Sequence, residues 1–503
     1  MAQAQVVTGM VFPSAGVRIL VPLVVCALME EASGLPMFAL SDYNTGMSAG
    51  GIMSTAFAMT NADGSPRFTA RQVLEDTLLT SAVMFARDPG HVMFNNVRRD
   101  IPGLLRGSGN SRLVRLIANE LEARFTPSHD KARYDHGILG QSLTQHFGDL
   151  RMRETAKSNF VLAHNMDDAR PSVFGHIDEA AFPGEGLDLC FAAEHEAQDD
   201  GRLSLHGGAR ITSALKAATA MPGVIGYYKV PSVERHFMDT GSFGYPTLAL
   251  LAQDMHTRAE NRAARLKTEP AGRWPRIKGL NATFGKRAKP PETVTRLIML
   301  GIGDEKRMGF DRSGMGGVVS EAGTIVRAAA DMTKAPSLIG LRNRFNRPSM
   351  AATGMPALRS IDTPIVDEAG RPFAGGPSPD ITDGRPENLE RLLTFGVRLA
   401  AANGAMLADE LQLRAQTLAT RGTISTAQAK DAVLRAEILR QPGGTEALCD
   451  QFLTSMRDVG RFIIERTPTP KAVPEASRGR LAGWLPTLRR ATPQEAAPTP
   501  ASA

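Results

Sequence analysis

The pentapeptide Gly46-Met47-Ser48-Ala49-Gly50 has the Gly-x-Ser-x-Gly spacing of a nucleophile elbow. A serine hydroxyl can attack a carbonyl only if a sharp strand-to-helix turn lifts it clear of the backbone. Gly46 and Gly50 supply the space for the two arms of that turn to approach without Cβ clashes. A helix starting at Ala49 points its positive end and free N–H groups at the spot where an oxyanion would develop. Chance alone yields the pattern roughly 0.24 times in a chain of this composition. Its context adds weight, because an apolar run at 38–44 reads as a strand before it and 49–59 reads as a helix after it.

A serine also needs a base. All ten histidines lie between His91 and His256, so a Ser, Asp/Glu, His order with a late histidine leaves only His236 or His256. The alternative is a carboxylate acting directly. Asp239 ends the short apolar segment 235–238 and is followed by Thr240 and Gly241. To take a proton from serine it must be buried against apolar neighbours, which raises a carboxyl pKa. An aspartate at that place equally reads as a turn initiator.

The surrounding elements have the rhythm of a parallel α/β sheet. Residues 6–12 read as a strand, 13–16 as a turn and 21–31 as a helix, ahead of the strand and helix that hold Ser48. Further on, 69–124 is helical with a Gly-rich interruption at 103–109, and 160–164 and 187–192 have strand character. A helix at 211–220 stops at Met221-Pro222-Gly223, and an apolar strand at 297–300 runs into Gly301-Ile302-Gly303. An irregular Pro/Gly-rich segment spans 347–386. A helix over 387–420 follows, with Pro386 suited to its first position. Helices at 426–440 and 445–466 come next, and a Pro/Ala/Thr-rich tail from 467 is expected to be disordered.

Composition narrows the function classes. With 42% hydrophobic and 22% charged residues, the 503-residue chain is that of a folded globular protein. A net charge of +6 and 6% aromatics give no support to a base-stacking nucleic-acid surface, and no nucleic acid polymer is expected as partner. Three cysteines, Cys26, Cys190 and Cys449, lie far apart without zinc spacing, and no calcium loop is present, so neither a metal nor a cofactor is expected. The uncharged run 19–29 is too short to span a bilayer and is preceded only by Arg18 as a basic residue. A cytoplasmic protein, peripheral at the inner face of the membrane, is the expectation. Two segments offer lipid contact: 258–289, with ten Lys/Arg against two Glu, and 478–490, which mixes Arg with Trp484 and Leu485.

Taken together, these blocks resemble the patatin-like phospholipases over about residues 6–405. Asp42-Tyr43-Asn44-Thr45 running into Gly46 to Gly51 is similar to the family's elbow block, and Asp239-Thr240-Gly241 to its Asp-Gly-Gly/Ala block. Ala217 to Gly223, Arg133-Tyr134-Asp135 through Asp149, 297–303 and 387–399 resemble further family segments in the same order. The resemblance implies a three-layer α/β/α fold with a mostly parallel sheet in residues 1–405, plus a helical extension at 406–466 and the tail 467–503. It implies Ser48 as nucleophile, Asp239 as base, and main-chain N–H groups near Gly16, Val17, Arg18 and Ala49 as the oxyanion hole. Gly46 and Gly50 would form the elbow and Gly241 the base turn. The substrate class implied is a phospholipid or other acyl-glycerolipid, cleaved at a membrane surface without metal. A homo-oligomer is compatible with it.

The chain also departs from the family pattern. Ser14-Ala15-Gly16-Val17-Arg18-Ile19 stands where the family has Gly-Gly-Gly-x-Arg/Lys-Gly, Thr240 replaces a glycine, and Gly244-Tyr245-Pro246 replaces Asn-Asn-Pro. A lone arginine such as Arg18 at a helix start also reads as a solvated charge, against a loop-ordering or phosphate-facing role. Other classes compatible with the same residues are a cyclic-nucleotide-gated antiviral effector, an acyltransferase, and a catalytically weakened lipid-binding relative.

Overall fold

The computed structural model describes residues 5–13, 16–85, 136–178, 191–192, 203–221, 225–241, 293–301, 358–365, 373–378, 382–441 and 443–466, with scattered positions between 249 and 261. The Gly-rich interruption at 103–109, most of the basic stretch 258–289, much of 347–386, Arg133-Tyr134-Asp135, Gly244-Tyr245-Pro246, His256 and the tail with 478–490 lie outside them.

The strand β1 (Gln5–Phe12) is followed by a 3-10 turn, Gly16–Ile19, which leads without a break into α1 (Leu20–Ser33). Gly34, at φ 68°, ends that helix in the left-handed conformation typical of a glycine cap. The strand expected at 38–44 begins later. Met37–Leu40 is one helical turn, α2, because Pro36 opens it and the Glu30 carboxylate accepts the N–H of Met37 at 2.6 Å. The strand proper, β2, is Tyr43–Met47, and α3 (Ala49–Ala56) follows. A capping box of Thr69 and Gln72 starts α4 (Ala70–Met84). Then come α5 (His136–Phe147), β3 (Ser158–Asn165), β4 (Arg170–His176), β5 (Phe191–Ala192), β6 (Leu203–Leu205) and α6 (Ile211–Ala218). The strands β7 (Tyr228–Val230), β8 (Arg235–Met238), β9 (Thr293–Leu300) and β10 (Leu358–Ile361) complete the sheet.

Four helices follow: α7 (Pro386–Ala402), α8 (Gly404–Thr420), α9 (Thr426–Ala436) and α10 (Gly444–Arg466). The single helix expected over 387–420 is therefore two. Its break is chemical: the Asn403 side chain donates to the Leu399 carbonyl at 2.8 Å, and Gly404 sits where a Cβ would lie 2.5 Å from the Leu439 carbonyl oxygen. No helix among the described residues is long and apolar enough to cross a membrane.

The protein is α/β, with a mostly parallel central sheet flanked by helices. Its strand order is β10-β9-β1-β2-β3-β4-β6-β5, and β1, β2, β9 and β10 run parallel to their neighbours up to β3. Alternate residues of the same strands feed two apolar clusters. Met10, Phe12, Val161 and Ile298 point into one, and Val11, Phe160, Leu162 and Leu297 into the other. Burial on both faces is why these strands read as continuous apolar runs.

Two buried ion-pair groups fix α8 to the sheet. Arg414 grips the Asp42 carboxylate with both terminal nitrogens, at 2.7 and 3.0 Å, and Arg421 adds a third contact at 2.6 Å. Thr8 of β1 donates its N–H to the same carboxylate at 2.8 Å. Four residues before Arg414, Glu410 holds buried Arg296 of β9 and also Arg359 of β10. The helical segment expected as an extension at 406–466 is thus packed into the same compact unit as the sheet. Burial by itself would raise the Asp42 pKa, but the two guanidinium groups hold it well below the usual carboxylate range.

Removing Arg414 leaves the buried Asp42 carboxylate with only one of its two guanidinium partners. Arg414→Leu should therefore lower unfolding free energy at neutral pH by about 3 kcal/mol, read from urea titrations. Because the Asp42 pKa is depressed in the folded state, this stabilisation is present above the unfolded carboxyl pKa and is lost as pH falls. The two proteins should accordingly converge in acid.

Candidate active site

Ser48 stands between β2 and α3 with φ 53° and ψ −131°, a conformation that a non-glycine residue rarely adopts. It is the N-cap residue of α3, yet its hydroxyl makes no capping bond to the helix. The turn is possible because its glycines have no side chains. A Cβ on Gly46 would meet the Gly50 carbonyl oxygen at 2.2 Å, and one on Gly50 would meet the Phe12 carbonyl oxygen at 2.3 Å. Gly51 lets α3 press on β3, where a Cβ would come within 2.8 Å of Val161. The elbow expected from Gly46, Ser48 and Gly50 is therefore present as a strained strand-to-helix turn.

Asp239 reaches Ser48 through the edge of β3. β4 pairs with β3 along residues 159–165, taking one edge entirely. β2 occupies the other edge up to the pair Met47↔Leu162, and β8 occupies its continuation at His164↔Met238 and Asn165↔Phe237. The two strands thus approach head-on along one edge, leaving only the level of Ala163 between them. The next residue out of β2 is Ser48 and the next out of β8 is Asp239. Both are buried, at 7% and 6% exposure, and the Ser48 hydroxyl is near enough to act on the Asp239 carboxyl.

The carboxyl of Asp239 is pushed up to about 6 by burial, against the opposing pull of the nearby Ser48 hydroxyl and of the bond from the Gly241 N–H. The Gly241 bond, 2.7 Å long, closes a turn in which Gly241 has φ 31°. Asp239 thus shapes its own turn and also stands next to the serine. The Asp239 N–H is anchored to the Ala220 carbonyl just beyond α6 at 3.0 Å. Thr240, where a glycine was expected, is buried, and its hydroxyl has no partner among the described residues.

Gly16 has φ 51°, which explains why a glycine is retained there. Together with Ser48 and Ala49 it lines a cleft of about 990 Å³, counted out to its open mouth. The walls are mainly apolar and include Ile19, Ile52, Phe68, Met84, Leu143 and Phe147. Val17 and Arg18 are buried and do not line it, so any part they play there falls to their main-chain N–H groups. Arg18 is only 5% exposed, which overturns its reading as a solvated charge. His236 is not the base of Ser48: it is half-exposed and held by Asp167, whose carboxylate accepts the His236 main-chain N–H at 2.8 Å and lies 3.3 Å from its ring Nδ1. Sequence reasoning missed the cleft itself and two polar residues on its wall, Asp76 and His146, which have no motif spacing.

This arrangement can deprotonate a serine hydroxyl beside an apolar cleft. Among the described residues no group of three or more metal-ligating side chains occurs. A scan of the chain against protein-family models gives no match, and a search of curated proteins gives none.

Two measurements follow from the shifted carboxyl. Reactivity of Ser48 should rise as pH passes about 6, the value at which Asp239 ionises, when followed by the rate of inactivation with a serine-directed reagent. A raised folded-state pKa contributes stability that is complete below the unfolded value near 4 and is lost as pH rises through the folded one. Asp239→Asn should therefore be more stable than wild type at pH 8, on the order of 2 kcal/mol, and should lose that advantage at pH 4, as read by thermal melts at both values.

Proposed function

We propose that the chain is a patatin-like lipid acyl hydrolase, built on a three-layer α/β/α fold, that cleaves carboxylic esters of phospholipids or acyl-glycerolipids. The observation that carries this reading is the meeting of β2 and β8 on one edge of β3, which sets Ser48 beside a buried, pKa-raised Asp239 at an apolar cleft. The resemblance of the Ser48 and Asp239 blocks to that family points the same way.

In the acylation half, Ser48 Oγ attacks the ester carbonyl carbon while Asp239 accepts the hydroxyl proton. The oxyanion develops in front of main-chain N–H groups at the starts of the Gly16 turn and of α3, with Gly16, Val17, Arg18 and Ala49 as the candidates. Collapse breaks the bond to the alcohol oxygen, which leaves with the proton from Asp239. In the second half, Asp239 takes a proton from water as that water attacks the acyl-serine carbon. The intermediate then releases the fatty acid, and Ser48 Oγ regains its proton from Asp239. Ester and water become acid and alcohol, and both residues return to their starting states. The apolar walls suit an acyl chain, whose burial contributes about 0.8 kcal/mol per methylene.

Treatment with a fluorophosphonate followed by intact-protein mass spectrometry tests the reading. One adduct on wild type, absent from Ser48→Ala and from Asp239→Asn, is expected. Equal labelling of Ser48→Ala, or no labelling of wild type even with anionic liposomes present, would reject it.

A further inference from the structure

The cleft beside Ser48 is closed on its outer side by α4 and α5, and two polar pairs join these helices. His146 Nε2 lies 3.4 Å from the Asp76 carboxylate, and the hydroxyls of Thr80 and Ser142 are 3.3 Å apart. The spacing is four residues on each helix and runs in opposite directions, so the pairs are successive rungs across an antiparallel seam. All four side chains line the cleft from this seam, next to apolar Val73 and Leu143.

On the inner side the cleft meets α3, the Gly16 turn and the end of α6, and apolar side chains there and on the two helices, Val73, Leu139 and Leu143 among them, belong to the main core. Opening on any side exposes core surface, but at the seam polar pairs take the place of part of that packing. Along the seam the closing contacts are partly exposed, with Asp76 at 45% and His146 at 24% side-chain exposure, and such pairs hold weakly. Leu79, one residue before Thr80, is 44% exposed on the outside of α4. Arg67 also steadies the end of α5, donating to the His146 carbonyl at 2.7 Å, so parting is easiest where Thr80 meets Ser142.

We infer that the α4–α5 seam is the passage for the acyl chain, and that the pairs Asp76–His146 and Thr80–Ser142 determine which chain lengths are accepted. A short acyl group fits with the helices closed. A long chain must part them and run out over Leu79. This inference rests on the acyl-hydrolase reading of the site for its substrate, but not for its geometry.

A reversible lock tests it. Thr80→Cys with Ser142→Cys, in a Cys190→Ala background, places two thiols where two hydroxyls touch, while Cys26 and Cys449 are buried. Turnover of dodecanoyl and acetyl 4-nitrophenyl esters is compared before and after mild oxidation, alongside binding of a dansylated long-chain fatty acid. The expected result is that the dodecanoyl-to-acetyl ratio of kcat/KM falls about tenfold on oxidation and recovers with reductant. Thr80→Val with Ser142→Ala should shift the ratio the other way. Unchanged ratios and unchanged binding after the disulfide forms would overturn the passage, as would thiols that do not pair at all. If neither ester is turned over but oxidation abolishes binding of the fatty acid, the passage stands and the hydrolase reading fails.

Discussion

A strand has two edges, and β3 serves three partners with them. β4 covers one edge along residues 159–165, so β2 and β8 must share the other. They cannot overlap, and each is forced to leave the sheet where the other ends. That single constraint brings residues nearly two hundred positions apart to the level of Ala163. It also explains why a four-residue strand such as β8 suffices: its task is to deliver Asp239 at the correct height, and the Ala220 carbonyl then anchors the delivered residue.

The site is costly at the two residues that define it. Ser48 occupies a strained backbone conformation, and Asp239 is kept in surroundings that disfavour its charge. The opposite end of β2 offsets this. There the Asp42 carboxylate ties β1, the approach to β2 and α8 together, and Lys157 donates to the carbonyls of Phe38 and Ser41 beside it. A strand clamped at its start by buried ion pairs can hold an awkward residue at its finish.

Much of this was legible in the residues. β1, β8 and the elbow were readable because apolar runs ended at turn residues, Pro13, Asp239 and Gly46 respectively, and Pro386 marks the start of α7 as expected. The start of β2 was misread, since Phe38 and Leu40 are apolar but lie in a helical turn set by Pro36 and Glu30. Glu410 and Arg414 were illegible for a different reason. On a helix, charges four apart read as a solvated pair, whereas here both face inward to partners more than a hundred residues distant. The cleft was hidden likewise, because α4 and α5 are ordinary amphipathic helices until packed side by side.

The placement of α8 bears on how such a chain can change over evolutionary time. Helices beyond residue 405 have the look of an appendage that a lineage could acquire, exchange or shed. Yet the two arginines that neutralise Asp42, and the glutamate that neutralises Arg296, are carried by that region. Losing it would strand a carboxylate and a guanidinium inside the sheet's own framework. Asp42 and Arg296 would have to change at the same time, so the sheet and the C-terminal helices are bound to be inherited as one piece.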